Sequence, residues 1–237
     1  MILGDKCTRR CRFCSVHSAQ PEPPQSDEPQ RLADAVRRLQ LKHVVITSVT
    51  RDDLPDEGAG HFAACIQAVR EQLPSATIEI LPPDFHARRD CIQAVCEARP
   101  DVFNHNLETV ERITPEVRPQ AGYRRSLETL RLIRELAPEM PTKSGLMVGL
   151  GETMDEIRQT LADLRAVDCN IVTVGQYLSP TSEHYPVQYF WTPEEFQLIA
   201  DYAHELGFAG VASGPFVRSS YNAGEVYEQL RQQNSTT

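Results

Sequence analysis

The chain has 237 residues, enough to bury a full core as one α/β barrel-type domain. Hydrophobic residues at 41% and charged ones at 24% are ordinary for a globular protein, while 33 acidic against 24 basic side chains, a net charge of −9, exclude the basic footprint of nonspecific nucleic-acid binding. No run reaches about 18 apolar residues and no signal peptide precedes Met1, so the expectation is a cytoplasmic protein, or an organellar-matrix one in a eukaryote, with no membrane segment.

The first predicted element is a short strand, Met1-Ile-Leu-Gly4, leading into Cys7-Thr-Arg-Arg-Cys11-Arg-Phe-Cys14. The C-x3-C-x2-C spacing lets three sulfurs converge from one short loop. Three thiolates on a cubane iron–sulfur cluster leave one iron open to a small molecule, which an electron-transfer cluster would normally not do. Two alternatives stand beside this: a Cys3His zinc site with His17, and three cysteines with no metal at all. The other cysteines, Cys65, Cys91, Cys96 and Cys169, lie in apolar patterns and read as small buried hydrophobes, not as a disulfide framework.

Gln20 to Asp27 reads as an exposed connection. Helical spacing follows over Glu28 to Gln40, with Asp27 as its cap, then a buried strand from His43 to Ser48. Phe62 to Leu73 marks a helix, Thr77 to Leu81 a strand, Cys91 to Ala98 a helix and Asp101 to Asn104 a strand. Leu127 to Leu136 is the next helix and Thr142 to Val148 the next strand. Thr153-x-x-Glu156 has capping-box form and opens another helix, and Asn170 to Gly175 is a strand. Thr192-Pro-Glu-Glu195 starts the last long helix, and Phe208 to Ser213 closes the series. Alternating strands and helices imply right-handed βαβ units on a parallel sheet. About seven units, with no G-x-G-x-x-G turn, favour a partial or full (β/α) TIM-like barrel over an open doubly wound sheet. No linker divides the chain, so residues 1–237 are read as one domain.

In such a barrel the residues just after each strand face the ligand. Those are Thr47-Ser-Val-Thr-Arg-Asp-Asp53, Pro82-Pro-Asp84, Asn104-His-Asn-Leu-Glu-Thr109, Gly149-Leu-Gly151 and Gln176-Tyr177. For any one of them a turn or a helix cap is an equal explanation, and Asp84 and Thr109 are the weakest. Asn104, His105 and Asn106 together offer directional recognition of a ribose or amino acid, with His105 read as a core or supporting residue. Arg51 is suited to a carboxylate. Lys143, inside a strand pattern, needs an anionic partner or water, unless it snorkels out at the strand start.

The cysteine loop, with Phe13 before its last cysteine, resembles the radical S-adenosylmethionine (SAM) superfamily. Val45 to Leu54, Phe103 to Thr109, Lys143 to Gly149, Val174 to Leu178 and Val217-Arg-Ser-Ser-Tyr221 narrow the resemblance, in order and over essentially the whole chain, to the lipoyl synthase family. That resemblance implies insertion of two sulfur atoms at C6 and C8 of an octanoyl chain on a carrier lysine. Those C–H bonds are unactivated, and a 5′-deoxyadenosyl radical from SAM would open them. It further implies that Cys7, Cys11 and Cys14 hold the SAM-cleaving [4Fe–4S] cluster and that Phe13 lies near the adenine. Thr47, Ser48, Arg51, Asp52, Asn104, Asn106, Glu108 and Lys143 would serve the cofactor site. Ser219, with Ser220 as the alternative, would be a ligand of an auxiliary [4Fe–4S] cluster. The implied partners are an octanoylated lipoyl carrier domain, from a 2-oxoacid dehydrogenase E2 subunit or the glycine cleavage H protein, and an electron donor such as ferredoxin or flavodoxin. The tail from about 222 would close the barrel end. The family's C-x4-C-x5-C motif belongs upstream of the run matched by Met1 to Asp5. The expectation is therefore one cluster here, where the family has two, in a truncated chain that makes no lipoyl group by itself. A radical SAM enzyme with another substrate, and a non-catalytic zinc-stabilised binding protein, are the competing readings.

Overall fold

Six of the apolar runs lie side by side in one parallel sheet. The structure is a computed structural model that describes residues 1–220, 223–225, 227 and 228. After a two-residue pair, β1 (Lys6–Cys7) and β2 (His17–Ser18), come α1 (Glu28–Arg38), β3 (His43–Thr47), α2 (Ala59–Gln72) and β4 (Thr77–Leu81). Next are α3 (Arg89–Glu97), β5 (Val102–Asn104), α4 (Thr114–Val117), α5 (Tyr123–Leu136) and β6 (Thr142–Val148). The series ends with α6 (Met154–Ala166), β7 (Ile171–Gln176), α7 (Pro193–Glu205) and β8 (Gly210–Gly214). The order is β3-β4-β5-β6-β7-β8, every pair parallel, with β3 and β8 left as edges. This is the partial barrel the alternation predicts, curled but not closed.

The helices form where apolar residues recur at helical spacing, and each buries that face on the sheet: Phe62, Cys65, Ile66 and Val69 from α2, and Leu127, Leu130 and Ile133 from α5. The predicted capping box of Thr153 with Glu156 is present, and the predicted helix start at Thr192 forms a second one with Glu195. Asp27 stands at the start of α1 but makes no side-chain cap bond; it pairs with Arg31 instead. Cys65, Cys91, Cys96 and Cys169 are buried, as their patterns predict.

Met1 to Gly4 is not a strand. Ile2 makes a single bridge to Ser48, and Leu3 (φ 66°) and Gly4 (φ 91°) turn into left-handed backbone that cannot continue a ladder. Short elements the periodicity could not reveal are α4 and a 3₁₀ turn at Phe85–Ala87. Most of the tail from about 222, and Tyr221 of the serine motif, fall outside the described residues; within them, Gly224 and Tyr227 lie against His43 of the edge strand β3.

Lys143 occupies the second position of β6, buried inside the sheet and away from the carboxyl ends. Its Nζ donates to Glu79 of β4 at 2.9 and 3.2 Å, and Asn104 Nδ2 donates to the same carboxylate at 3.1 Å. His43 Nε2 stands 3.5 Å from it. The sequence expectation of a cofactor-facing lysine gives way to the anionic partner that its burial demanded. Removing one member of a buried pair leaves the other uncompensated, so Lys143→Met is expected to lower the unfolding free energy by about 3–5 kcal/mol. In denaturant titrations the double variant Glu79→Leu/Lys143→Met should recover part of that loss.

Candidate active site

The cysteine loop lies across the carboxyl ends of the strands because four neighbours hold its backbone. Thr8 N–H donates to Thr50 O (3.1 Å) after β3, and Arg12 N–H to Val117 O (2.8 Å) at the end of α4. Arg10 N–H donates to the Gln120 side chain, and Tyr185 N–H to Arg12 O at 2.8 Å. The strongest tie is Arg9, only 4% exposed. Its guanidinium forks onto both oxygens of Asp52 (2.8 Å each) and reaches Asp84 Oδ1 at 2.7 Å. Asp84 also accepts from Arg125 at 2.7 Å. Burial alone would raise the Asp84 pKa, but the hydrogen bond and charge of Arg9 outweigh it and hold the carboxyl well below the usual carboxylate range.

The three thiols are half-buried and free. Cys7 Sγ accepts the N–H groups of Arg9 (3.4 Å) and Thr50 (3.3 Å), and Cys14 Sγ that of Val16 (3.5 Å). Burial pushes the Cys11 thiol up to about 11, against the opposing charge of Arg118, and raises Cys14 as well. Among the described residues only Asp52, Glu57 and His86 bring three His, Cys, Asp or Glu ligand atoms within 4.8 Å of one another. Cys7, Cys11 and Cys14 are not so grouped. His17 is exposed on β2. The Asp52, Glu57 and His86 group already carries cationic partners, Arg9 at 3.5 Å from His86 and Arg88 at 3.8 Å from Glu57.

Beneath the loop a cavity of about 290 Å³ opens along β6 and β7, and its lining gathers Phe13, Asn106, Glu108, Met147, Gln176 and Ser219. Two glycines make the room. A Cβ on Gly145 would come within 2.8 Å of Asn106 Oδ1, and one on Gly175 within 2.0 Å of Val217 O. Asn106 Nδ2 donates to Glu108 Oε1 at 3.1 Å, while Asn106 Oδ1 is buried with no partner and so can receive a ligand donor. Burial raises the Glu108 pKa, partly offset by Arg118.

The sequence-predicted residues separate into two groups. Phe13, Asn106, Glu108 and Ser219 share the cavity wall, whereas Ser220 is exposed and off it. The others are committed elsewhere. Arg51 is buried and bonds both oxygens of Asp53 at 2.9 Å, Asp52 holds Arg9, and Asn104 and Lys143 bond Glu79. Thr47 Oγ1 donates to Leu81 O (2.9 Å), and Ser48 Oγ is buried without a partner. His105 is the supporting residue expected, set between Pro82 O (3.2 Å) and Ser126 Oγ (3.0 Å). The sequence reading ranked one important residue among the weakest candidates and missed another. Asp84 looked like a turn residue, and Arg118, 7% exposed, donates to Leu107 O at 2.7 Å with its Nε unpartnered.

A three-cysteine loop over an open lumen at the carboxyl ends of a partial barrel defines a radical SAM protein. The family model described as Radical SAM superfamily matches residues 1–164, and the solved structure of methylornithine synthase superposes with a TM-score of 0.67 at 14% identity, covering 99% of this chain and 80% of that one. That likeness concerns the fold alone. The chain belongs to the lipoyl synthase family of this superfamily. It is 55% identical to the lipoyl synthase of Methylococcus capsulatus over 226 residues, 95% of this chain and 70% of that one. To the lipoyl synthase of Methanocella arvoryzae it is 55% identical over 229 residues, 96% and 77% respectively. Membership of the superfamily implies SAM and a [4Fe–4S] cluster.

Burial lowers the His105 pKa from 6.5 to about 4. The unfolded chain takes up this proton below about 6.5 and the folded one only near 4, so the stability is complete above 6.5 and is lost as pH falls between those values. The expected loss from pH 7 to 4 is about 3 kcal/mol. Denaturant midpoints across that range should show a flatter fall for His105→Gln than for the parent chain.

Proposed function

We propose that this chain carries the sulfur-inserting chemistry of its family, forming the lipoyl group from an octanoyl chain attached to a carrier-domain lysine. The observation that supports it most is that Phe13 of the cysteine loop and Ser219 of the serine motif, 206 positions apart in sequence, line one cavity. Cys7, Cys11 and Cys14 would hold the SAM-cleaving cluster, and Phe13, Asn106 and Glu108 would meet SAM. Bound together, a [4Fe–4S] cluster and SAM supply the one-electron chemistry that opens unactivated C–H bonds. The protein's own part is positional. Arg9 fixes the loop, Asn106 and Glu108 orient the ligand, and Leu81, Met147 and Val217 present an apolar wall to the acyl chain and limit water.

Ser219, not Ser220, is the better candidate for a ligand of a second, sulfur-donating cluster, because it faces the same lumen. The four remaining cysteines are dispersed and buried in α2, α3 and the α6–β7 turn, so these 237 residues supply three-cysteine ligation for one cluster. We take the chain to act as one domain. Its carrier would be a 2-oxoacid dehydrogenase E2 subunit or a glycine cleavage H protein, and its reductant a ferredoxin or flavodoxin. No helix among the described residues is long and apolar enough to cross a membrane. Seven free thiols suit a reducing compartment, the cytoplasm or an organellar matrix.

Anaerobic reconstitution should give about four iron and four sulfide per chain, as one cubane requires. Cys11→Ala should abolish both the visible absorption of the cluster and SAM cleavage, and Cys169→Ala should retain both. Stoichiometric zinc with no iron uptake, or the reverse pattern in the two variants, would remove the reading.

A further inference from the structure

Arg9 fixes the first half of the cysteine loop, and a different segment holds the second. Residues 177–191 connect β7 to α7. Gln176 closes this connection at both ends: its Nε2 donates to Tyr177 O and Tyr189 O (3.0 Å each), and its Oε1 accepts from Trp191 N–H (3.0 Å). Within the connection Tyr177 Oη donates to Tyr185 O at 2.7 Å. From this frame His184 and Tyr185 reach back to the cysteine loop. His184 Nε2 stands 3.2 Å from Cys14 O, Tyr185 N–H donates to Arg12 O at 2.8 Å, and the Arg12 guanidinium lies over the Tyr185 ring at 5.0 Å. A backbone carbonyl can only accept, so Nε2 carries the proton; in the neutral ring Nδ1 is then the acceptor, and it takes the Thr181 hydroxyl at 2.8 Å. Thr181 Oγ1 in turn accepts from Glu183 N–H at 3.2 Å. The tautomer is thus set by the connection's own residues.

We propose that His184 is a positioning residue: held in one tautomer by Thr181, it anchors the Cys14 peptide so that the Cys14 thiol keeps a fixed place and direction. The anchoring is a property of the chain itself, and its use in the reaction rests on the reading of Cys14 as a ligand of the SAM-cleaving cluster. The other bonds around Cys14 are local. Its N–H donates to Cys11 O (3.1 Å) and its Sγ accepts from Val16 N–H (3.5 Å), bonds that a detached loop would keep. Cys14 O is the polar group of this residue that bonds to the barrel, and among the described residues its one donor is His184, 170 positions later. A chance contact from a half-buried histidine would come alone. Here the side chain of one residue and the N–H and ring of the next converge on Cys14 and Arg12. The same connection supplies Tyr177 and Leu178 to the cavity wall, so one segment registers the last cysteine against the chamber it serves.

The test is alkylation of the cysteines in the metal-free chain, each modified peptide followed by mass spectrometry, beside iron release from the reconstituted chain under a ferrous chelator. His184→Leu removes the donor, whereas His184→Gln keeps an N–H close to where Nε2 stands. Cys14 is expected to react about fivefold faster in His184→Leu than in the parent chain, the worth of one hydrogen bond, and near the parent rate in His184→Gln. Thr181→Val frees the tautomer without touching the cysteine loop and should move Cys14 in the same direction by a smaller factor. Cys7, on the half of the loop that Arg9 holds, and the buried Cys65 should keep their parent rates throughout. Iron loss should follow the order of the Cys14 rates. An unchanged Cys14 rate in His184→Leu, a glutamine variant as fast as the leucine one, or iron loss indifferent to the variants would overturn the proposal. So would equal acceleration of Cys7, Cys14 and Cys65, since His184 would then hold the fold and not the loop. Cys14 rates in the expected order in a chain that takes up zinc and no iron would instead count against the proposed cluster and leave the anchor standing.

Discussion

The buried guanidinium of Arg9 is the contact on which the site depends. The loop packs only Cys7 and Phe13 against the core, so apolar burial alone holds little of it. Arg9 supplies what is missing by crossing from the middle of that loop to carboxylates after two different strands, Asp52 beyond β3 and Asp84 beyond β4. A buried charge is tolerated only when it is paired and its hydrogen bonds are met, and Asp84 meets that condition twice, with Arg125 on its second oxygen. The loop's position is thus set by the sheet and not by the metal it would bind. A cluster entering such a preformed cradle has less chain to order than one that must fold its own site.

The sheet itself is divided along its length. Level with the start of β6, Glu79, Lys143, Asn104 and His43 form a polar layer, and toward the carboxyl ends small groups leave space. On β6 the switch takes two residues, from Lys143 to Gly145 on one face. The glycine gives Asn106 its close approach, and Asn106 keeps an open acceptor on the cavity wall.

Periodicity made most of the fold legible, because helices here bury one stripe and parallel strands read as apolar runs. The capping boxes fixed two helix starts, and the cysteine spacing located the loop. What the sequence could not show was competition among partners. Arg51 suited a ligand carboxylate, yet Asp53 is two residues away and takes both of its ends. Lys143 required an anion, but its partner is 64 positions distant on β4, in a strand whose register no local pattern reveals. Asp84 read as a turn residue because its importance comes from Arg9, 75 positions earlier. Met1 to Gly4 read as a strand because apolar composition carries no sign of the positive φ at Leu3.

The polar layer also fixes the route by which a substrate enters. Lys143 and Glu79 are each only 1% exposed, a charged pair that an acyl chain cannot displace without leaving both ions unsolvated. The cavity opens between the cysteine loop and the β7 and β8 turns, the end at which a substrate can approach it. A free fatty acyl chain could pass such an opening unaided and leave as easily. A chain tethered to a protein stays for as long as its carrier stays bound. In a site whose chemistry needs two successive C–H cleavages on one chain, a tether keeps the reacting chain at hand between them.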